Sequence, residues 1–330
     1  MKILVTGGCG FIGSAFVRMA IARGAQVVNL DKLTYAGNPA NVASVADHPD
    51  YRFVRADIAD PVAVREAVRG VEVVVNFAAE SHVDRSILNP TDFIQTDVVG
   101  TAVLLDAARE AGVRRFVQVS TDEVYGSILT GAFRETDPID PSSPYSASKA
   151  GGDLQVLAWH RTYGIDALIT RGSNTYGPHQ YPEKLIPLFV TNALDGQTLP
   201  VYGDGLQVRD WIYVDDHCSG IWTAMEHGRA GEVYNVGGGN EITNIDITHR
   251  ILALTGRDES LIRHVTDRLG HDRRYALATE KLRALGWAPA HEFSRAIEET
   301  VAWYRERRDW WEPIKSGEYR AYYQEQYGTR

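Results

Sequence analysis

Short apolar runs alternate with segments of helical periodicity through the first half of the chain. Residues 2–6 (Lys-Ile-Leu-Val-Thr) form the first run, and residues 14–23 continue with helical character. Further strands are predicted over 25–30, ending in Asp31, and over 51–55, ending at Asp57-Ile58, with a helix over 62–69. The run 71–77 leads into Ala78-Ala79-Glu80-Ser81-His82, and a long helical pattern covers 92–111. Residues 115–119 are a buried central strand, which sets Ser120-Thr121-Asp122-Glu123 at its carboxyl end. Strands alternating with helices predict an α/β fold with a doubly wound parallel sheet.

The second half begins with a helix from Tyr145 to about Tyr163 and a strand over 167–171. Residues 172–178 then read as loop, 183–194 as a helix and 199–205 as turn-rich, followed by a strand over 208–214. Asp215 or Asp216 is expected to cap a helix ending near His227. Strands are predicted over 232–236 and 262–266, and helices from Thr243-Asn244 to about 255 and over 293–307. Trp310, Trp311 and the tyrosines that follow suggest a tail that docks. With no repeat and no linker, the expected division is discontinuous. Residues 1–172 plus about 206–236 make the sheet domain; about 173–205 plus 237–330 make a smaller α+β domain.

Composition narrows the function. The 330 residues are 44% hydrophobic and 23% charged, with a formal net charge of −9. No block of Lys or Arg is long enough to follow a phosphate backbone, so nucleic acid and anionic membranes are not expected partners. Cys9 and Cys218 are too few for a disulfide framework. No run of 18 apolar residues occurs, and the amino end enters a strand directly, so a cytosolic location is expected. His82 and His271 have no third ligand at sensible spacing, and no metal is expected.

The chemistry sits at strand ends. Gly7, Gly10 and Gly13 follow a strand and open a helix, where backbone N–H groups can approach a pyrophosphate. Asp31, ~20 residues on, can accept ribose hydroxyls and repel a 2′-phosphate, which favours NAD over NADP despite the adjacent Lys32. Asp57 and Ile58 stand where an adenine could be flanked, and Ala78-Ala79 is a small-residue turn. Tyr145 and Lys149 are four apart and share a helical face, and an ammonium beside a phenol favours the phenolate.

These residues resemble the extended short-chain dehydrogenase/reductases, and within them the dTDP-glucose 4,6-dehydratases. The likeness rests on Gly-x-x-Gly-x-x-Gly, Tyr-x-x-x-Lys and the stretches 78–86, 120–126, 144–150, 182–187 and 268–272. The Thr-Asp-Glu run at 121–123 is its most specific element; Thr175 and Tyr181 depart from the family pattern. The resemblance implies a Rossmann fold, a homodimer and an NAD-dependent lyase forming a 4-keto-6-deoxy sugar from dTDP-glucose. Tyr145 would be the base at the 4-hydroxyl, assisted by Thr121 and Lys149, with Glu123 the base at C5 and Asp122 the acid at the C6 hydroxyl. The candidate NAD set is Gly7, Gly10, Phe11, Ile12, Gly13, Asp31, Lys32, Thr34, Asp57, Ile58, Ala78, Ala79, Ser81, Thr96, Tyr145 and Lys149. Substrate would be held by Ser81, Asn174, Glu183, Lys184, Leu185, Pro200, Tyr202, Arg209, Asn244, Arg268 and His271. The alternatives are a nucleotide-sugar 4-epimerase, a dehydratase acting on a UDP-sugar, and a non-catalytic nucleotide-sugar binder. Loss of Thr121, Tyr145 or Lys149 would mark the last, and none is lost.

Overall fold

The computed structural model describes residues 1–327. They hold β1 (Lys2–Thr6), β2 (Gln26–Asp31), β3 (Tyr51–Arg55), β4 (Val73–Asn76), β5 (Arg115–Thr121), β6 (Ala167–Gly172), β7 (Asn174–Tyr176), β8 (Leu199–Tyr202), β9 (Val208–Tyr213), β10 (Val233–Val236), β11 (Glu241–Thr243) and β12 (Ile262–Val265). A seven-stranded sheet runs in the order β10-β6-β5-β4-β1-β2-β3, and every pairing in it is parallel. The order reverses between β1 and β4, the switch point at which doubly wound sheets open a crevice beyond the strand ends.

Helices cover both faces, which is why the strands read as unbroken apolar runs. Ile3, Val5, Val75 and Val117 pack on one side with Phe16, Val17 and Ile221. Leu4, Val74, Phe116 and Ile169 pack on the other with Leu104, Leu105 and Val156. A second core of Ile186, Phe189, Val201, Ile251, Val301, Tyr304 and Trp311 lies under the small sheets β11-β9-β7 and β12-β8. Among the described residues no helix is long and apolar enough to cross a membrane.

The expected sheet order of elements is found, with four local corrections. Residues 172–178 are not all loop, because β7 pairs parallel with β9, Asn174 beside Trp211. Residues 199–205 begin with β8, whose partner β12 lies more than fifty residues away, so no local pattern marks it. Within 92–111 the helical path passes through a π-helical turn at Ile94–Gly100. Asp215 and Asp216 are not caps, since Tyr213 holds that position without a side-chain bond. Asp216 instead accepts the N–H groups of Ala290 and His291 at 2.9 and 3.0 Å, tying the chain after Trp287 to this helix.

The tail docks as its aromatics suggested. Trp310 Nε1 donates to Asn41 Oδ1 at 2.9 Å, and the Tyr319 hydroxyl donates to the Pro182 carbonyl at 2.7 Å.

Candidate active site

The first helix, Phe11–Ala22, starts at Gly10 with no side-chain cap, which leaves the N–H groups of its first turn directed at the crevice. Gly7 makes the approach possible. Its φ is +67°, and a Cβ there would stand 2.7 Å from the Ala78 nitrogen. A Cβ at Gly13 would collide with the Gly7 carbonyl oxygen, so helix and strand close up only on glycine.

A cavity of about 290 Å³ opens over this turn. Every one of the sixteen residues named above for NAD lines it, from Gly7 to Lys149, and so do Thr121, Asp122 and Glu123. Asp31, at the end of β2, accepts the N–H groups of Cys9 and Leu33 at 2.9 and 2.8 Å, and these two bonds offset the cost of burying its charge. Lys32 does not approach Asp31 but pairs with Asp57 at 2.6 Å.

A second cavity of about 140 Å³ continues toward the small sheets. It is lined by Asn174, Glu183, Lys184, Leu185, Pro200, Tyr202, Arg209, Asn244, Arg268 and His271, while Ser81 lines the first. Glu123, Asn174 and Lys184 line both, so the two cavities meet at Glu123, beside Asp122 in the first. Several polar atoms here are buried without a partner: Asn174 Oδ1, Asn244 Oδ1, Arg268 Nε and Asp122 Oδ2. Unsatisfied groups of this kind are costly and mark places for ligand atoms.

The central strand sets the reacting groups. β5 extends to Thr121, whose hydroxyl accepts the Glu123 N–H at 3.3 Å and lies 3.2 Å from Asp122 Oδ1, so the chain turns at once into a short 3₁₀ helix. Asp122 is buried and Glu123 half-buried. Burial raises the Asp122 carboxyl well above its ordinary value, and the neighbouring Glu123 and Asp210 push it further. Burial also raises Glu123, but the cations Arg268, Lys184 and Arg209 face it and draw it back. Adjacent carboxyls thus sit in opposite electrostatic surroundings.

Tyr145 and Lys149 share a face of the helix Pro144–Tyr163, which a Ser143–Ser146 capping box opens. Lys149 Nζ donates to the Val119 carbonyl at 2.9 Å. Burial holds the Tyr145 phenol well above its ordinary value, helped by Glu123 and Asp97, while a hydrogen bond with Thr121 pulls it down.

Other sequence-named residues have partners within the protein. Glu183 accepts from the Tyr35 hydroxyl at 3.0 Å and from Arg85 Nε at 2.9 Å. Lys184 Nζ donates to the Ser81 carbonyl, and Arg209 donates to the Val208 and Asp272 carbonyls at 2.8 and 3.0 Å. Thr175 lies 2.7 Å from His217 Nδ1, and Tyr181 packs edge-on to Tyr35. His82 meets the Tyr322 hydroxyl at 3.1 Å, and His271 pairs with Asp267 at 2.5 Å. Sequence reading gave no site role to Asp84, His217 or Tyr327, which line the two cavities. Their cavities form only when distant segments meet, and no local spacing announces that.

The family model described as GDP-mannose 4,6 dehydratase matches residues 4–300. The chain belongs to this family. It is 54% identical over 323 residues to a dTDP-glucose 4,6-dehydratase of Streptomyces niveus, covering 96% of each chain. The solved structure of DesIV, a dTDP-glucose 4,6-dehydratase of Streptomyces venezuelae with NAD bound, is similar at TM-score 0.94 and 55% identity, over 96% of this chain and 100% of that one. The UDP-glucose 4-epimerase of Thermus thermophilus, also with NAD, shares the fold at TM-score 0.87 with 32% identity, over 93% and 100% of the two chains. The family resemblance read from the Thr-Asp-Glu and Tyr-x-x-x-Lys runs is borne out.

One consequence of the carboxyl arrangement concerns stability. A folded-state pKa raised above the unfolded value costs stability once pH climbs past the unfolded value, because the unfolded chain then sheds the proton more easily. Asp122→Asn removes that cost and the repulsion with Glu123. The variant is expected to melt at a higher temperature than wild type at pH 7, with the gain shrinking as pH falls toward 4, by differential scanning calorimetry. A melting temperature below wild type at pH 7 contradicts the assigned surroundings.

Proposed function

We propose that the protein dehydrates dTDP-glucose to dTDP-4-keto-6-deoxyglucose with tightly held NAD. The observation that carries this reading is the junction: Glu123 lines both the glycine-turn cleft and a cationic, partly apolar one, and Asp122 lines the first beside it. Oxidation at C4 alone needs no acid or base at C5 and C6, and a pair of carboxyls at that point supplies both.

The first cleft suits NAD on its own features. The uncapped helix start and the Gly7 approach fit a pyrophosphate, and the Asp31 carboxylate fits ribose hydroxyls and disfavours a 2′-phosphate. When bound, NAD supplies the two-electron acceptor for oxidation at C4 and the donor for reduction at C6.

Tyr145 takes the proton of the 4-hydroxyl. Burial holds its phenol up, and the hydrogen bond of Thr121 favours the anion, as does any ammonium as near as that of Lys149 one turn away. The 4-keto group then acidifies C5. Glu123, balanced by three cations, removes the C5 proton, and Asp122, kept protonated by burial and its acidic neighbours, delivers a proton to the departing C6 hydroxyl as water. Arg268 and Arg209 hold the diphosphate, and Asn174 and Lys184 the sugar oxygens. Glu183 holds Arg85 and Tyr35 while lining the second cavity.

We also infer a homodimer through the helices of the sheet domain. The π-helical turn Ile94–Gly100 packs against the helix Pro144–Tyr163, and both expose apolar side chains, Ile94 and Leu154 at 54% and Val99 at 39%. Sedimentation should show a dimer that Leu154→Glu converts to monomer; a wild-type monomer at micromolar concentration refutes this surface.

The activity is tested by incubating the purified protein with dTDP-glucose in heavy water without added cofactor. A 4-keto-6-deoxy product carrying deuterium at C5 is expected, and Glu123→Gln should lower kcat by about 10²–10⁴-fold. A 4-epimer without deuterium at C5 would mean an epimerase and remove the roles given to Asp122 and Glu123. Conversion of UDP-glucose in preference to dTDP-glucose would reassign the base.

A further inference from the structure

The second cavity has a wall supplied by the end of the chain. Tyr327, on the C-terminal helix Glu318–Tyr327, lines it together with Leu185, Leu188, Phe189 and Pro200. This is its apolar side, distinct from Arg209 and Arg268, whose charge suits a diphosphate.

A hydrogen-bonded chain joins the same helix to Tyr202. Gln326 Nε2 donates to the Tyr202 hydroxyl at 2.8 Å, and that hydroxyl donates to Asp84 Oδ2 at 3.0 Å. Its single proton is therefore committed to Asp84, and Gln326 and the Tyr327 hydroxyl both donate to it, so Tyr202 presents a ring rather than a polar group to the cavity. The ring lies 6.0 Å from that of Tyr327 and 5.9 Å from that of His271. Gln326 and Tyr327 are both buried.

The helix is seated by contacts that do not involve these two residues. The Tyr319 hydroxyl donates to the Pro182 carbonyl at 2.7 Å, and the Tyr322 hydroxyl meets His82 Nδ1 at 3.1 Å. The Arg85 guanidinium lies 4.2 Å over the Tyr322 ring while its Nε is paired with Glu183. Pro182, His82 and Arg85 all belong to segments that border the two cavities. The helix end is thus held in place independently of Gln326, and changing Gln326 need not release it.

We propose that Gln326 and Tyr327 are positioning and specificity residues for the nucleoside base, with Gln326 fixing the orientation of Tyr202 and Tyr327 closing the apolar end of the cavity. The inference rests on the reading of this cavity as the site of a pyrimidine nucleoside diphosphate. A flat base enclosed by aromatic rings gains from their faces, and holding a ring in its bound orientation beforehand lowers the cost of ordering it.

The test uses the full chain, with dTDP as the calorimetric probe and dTDP-glucose as substrate. Gln326→Ala and Tyr327→Ala are each expected to weaken dTDP and raise KM about fivefold, with kcat changed less than about twofold. Inhibition by inorganic diphosphate, which lacks a base, should stay at the wild-type level, and Tyr327→Phe should recover most of the affinity lost in Tyr327→Ala. If Tyr327→Ala does not fold, Gln326→Ala decides the matter alone. Wild-type dTDP affinity and KM in Gln326→Ala, or an equal loss of diphosphate inhibition, overturns the inference while leaving the dehydratase reading intact. A wild-type protein that neither binds dTDP nor converts dTDP-glucose overturns both.

Discussion

Two carboxyl groups on consecutive residues, set where two clefts join, are the constraint around which the site is arranged. Burial makes a charge costlier on both Asp122 and Glu123, and Glu123 makes one on Asp122 costlier still. The protein answers asymmetrically. Arg268, Lys184 and Arg209 are turned toward Glu123, while Asp122 is left beside Asp210 and Glu123. The proposed elimination of water needs an acid and a base at the same moment, and this asymmetry is what would divide the two roles.

The fold makes that asymmetry possible by drawing its parts from separate layers. β5 delivers Thr121, Asp122 and Glu123 at the carboxyl edge of a sheet that is apolar on both faces. The cations come from elsewhere: Lys184 from the loop before the helix Leu185–Leu194, Arg209 from β9 and Arg268 from the loop after β12. The buried pair of Arg171 and Asp153, 2.9 Å apart, joins β6 to the helix that carries Tyr145 and Lys149. The candidate site is therefore assembled from segments of the small sheets packed over the sheet edge, with the C-terminal helix lining one cavity.

The central sheet was legible in the sequence because its information is local. Runs such as Leu4-Val5 and Val73-Val74-Val75 are apolar on both faces, and Gly7, Gly10 and Gly13 sit where only glycine fits. The candidate site was legible through a family resemblance, and each residue it named for a cofactor or substrate lines one of the two clefts. What was not legible depends on distant partners. β7 and β8 are strands because β9 and β12 pair with them, and nothing within Asn174–Tyr176 or Leu199–Tyr202 says so. Glu183 carries no sign in sequence that Tyr35 and Arg85 occupy its oxygens. Nothing in Tyr145-x-x-x-Lys149 announces Glu123 and Asp97 beside the phenol, because spacing along one helix is silent about the strand and helix that face it.

The most direct test of this account follows the ionisation of the pair itself. Protein carrying ¹³C-labelled Asp and Glu side-chain carboxyls would be titrated by NMR, with resonances assigned from Asp122→Asn and Glu123→Gln. The account predicts that Glu123 ionises first and that Asp122 keeps its proton to a higher pH. Ionisation of Asp122 before Glu123, or of both within the ordinary carboxylate range, would contradict the division of acid and base on which the proposed reaction rests.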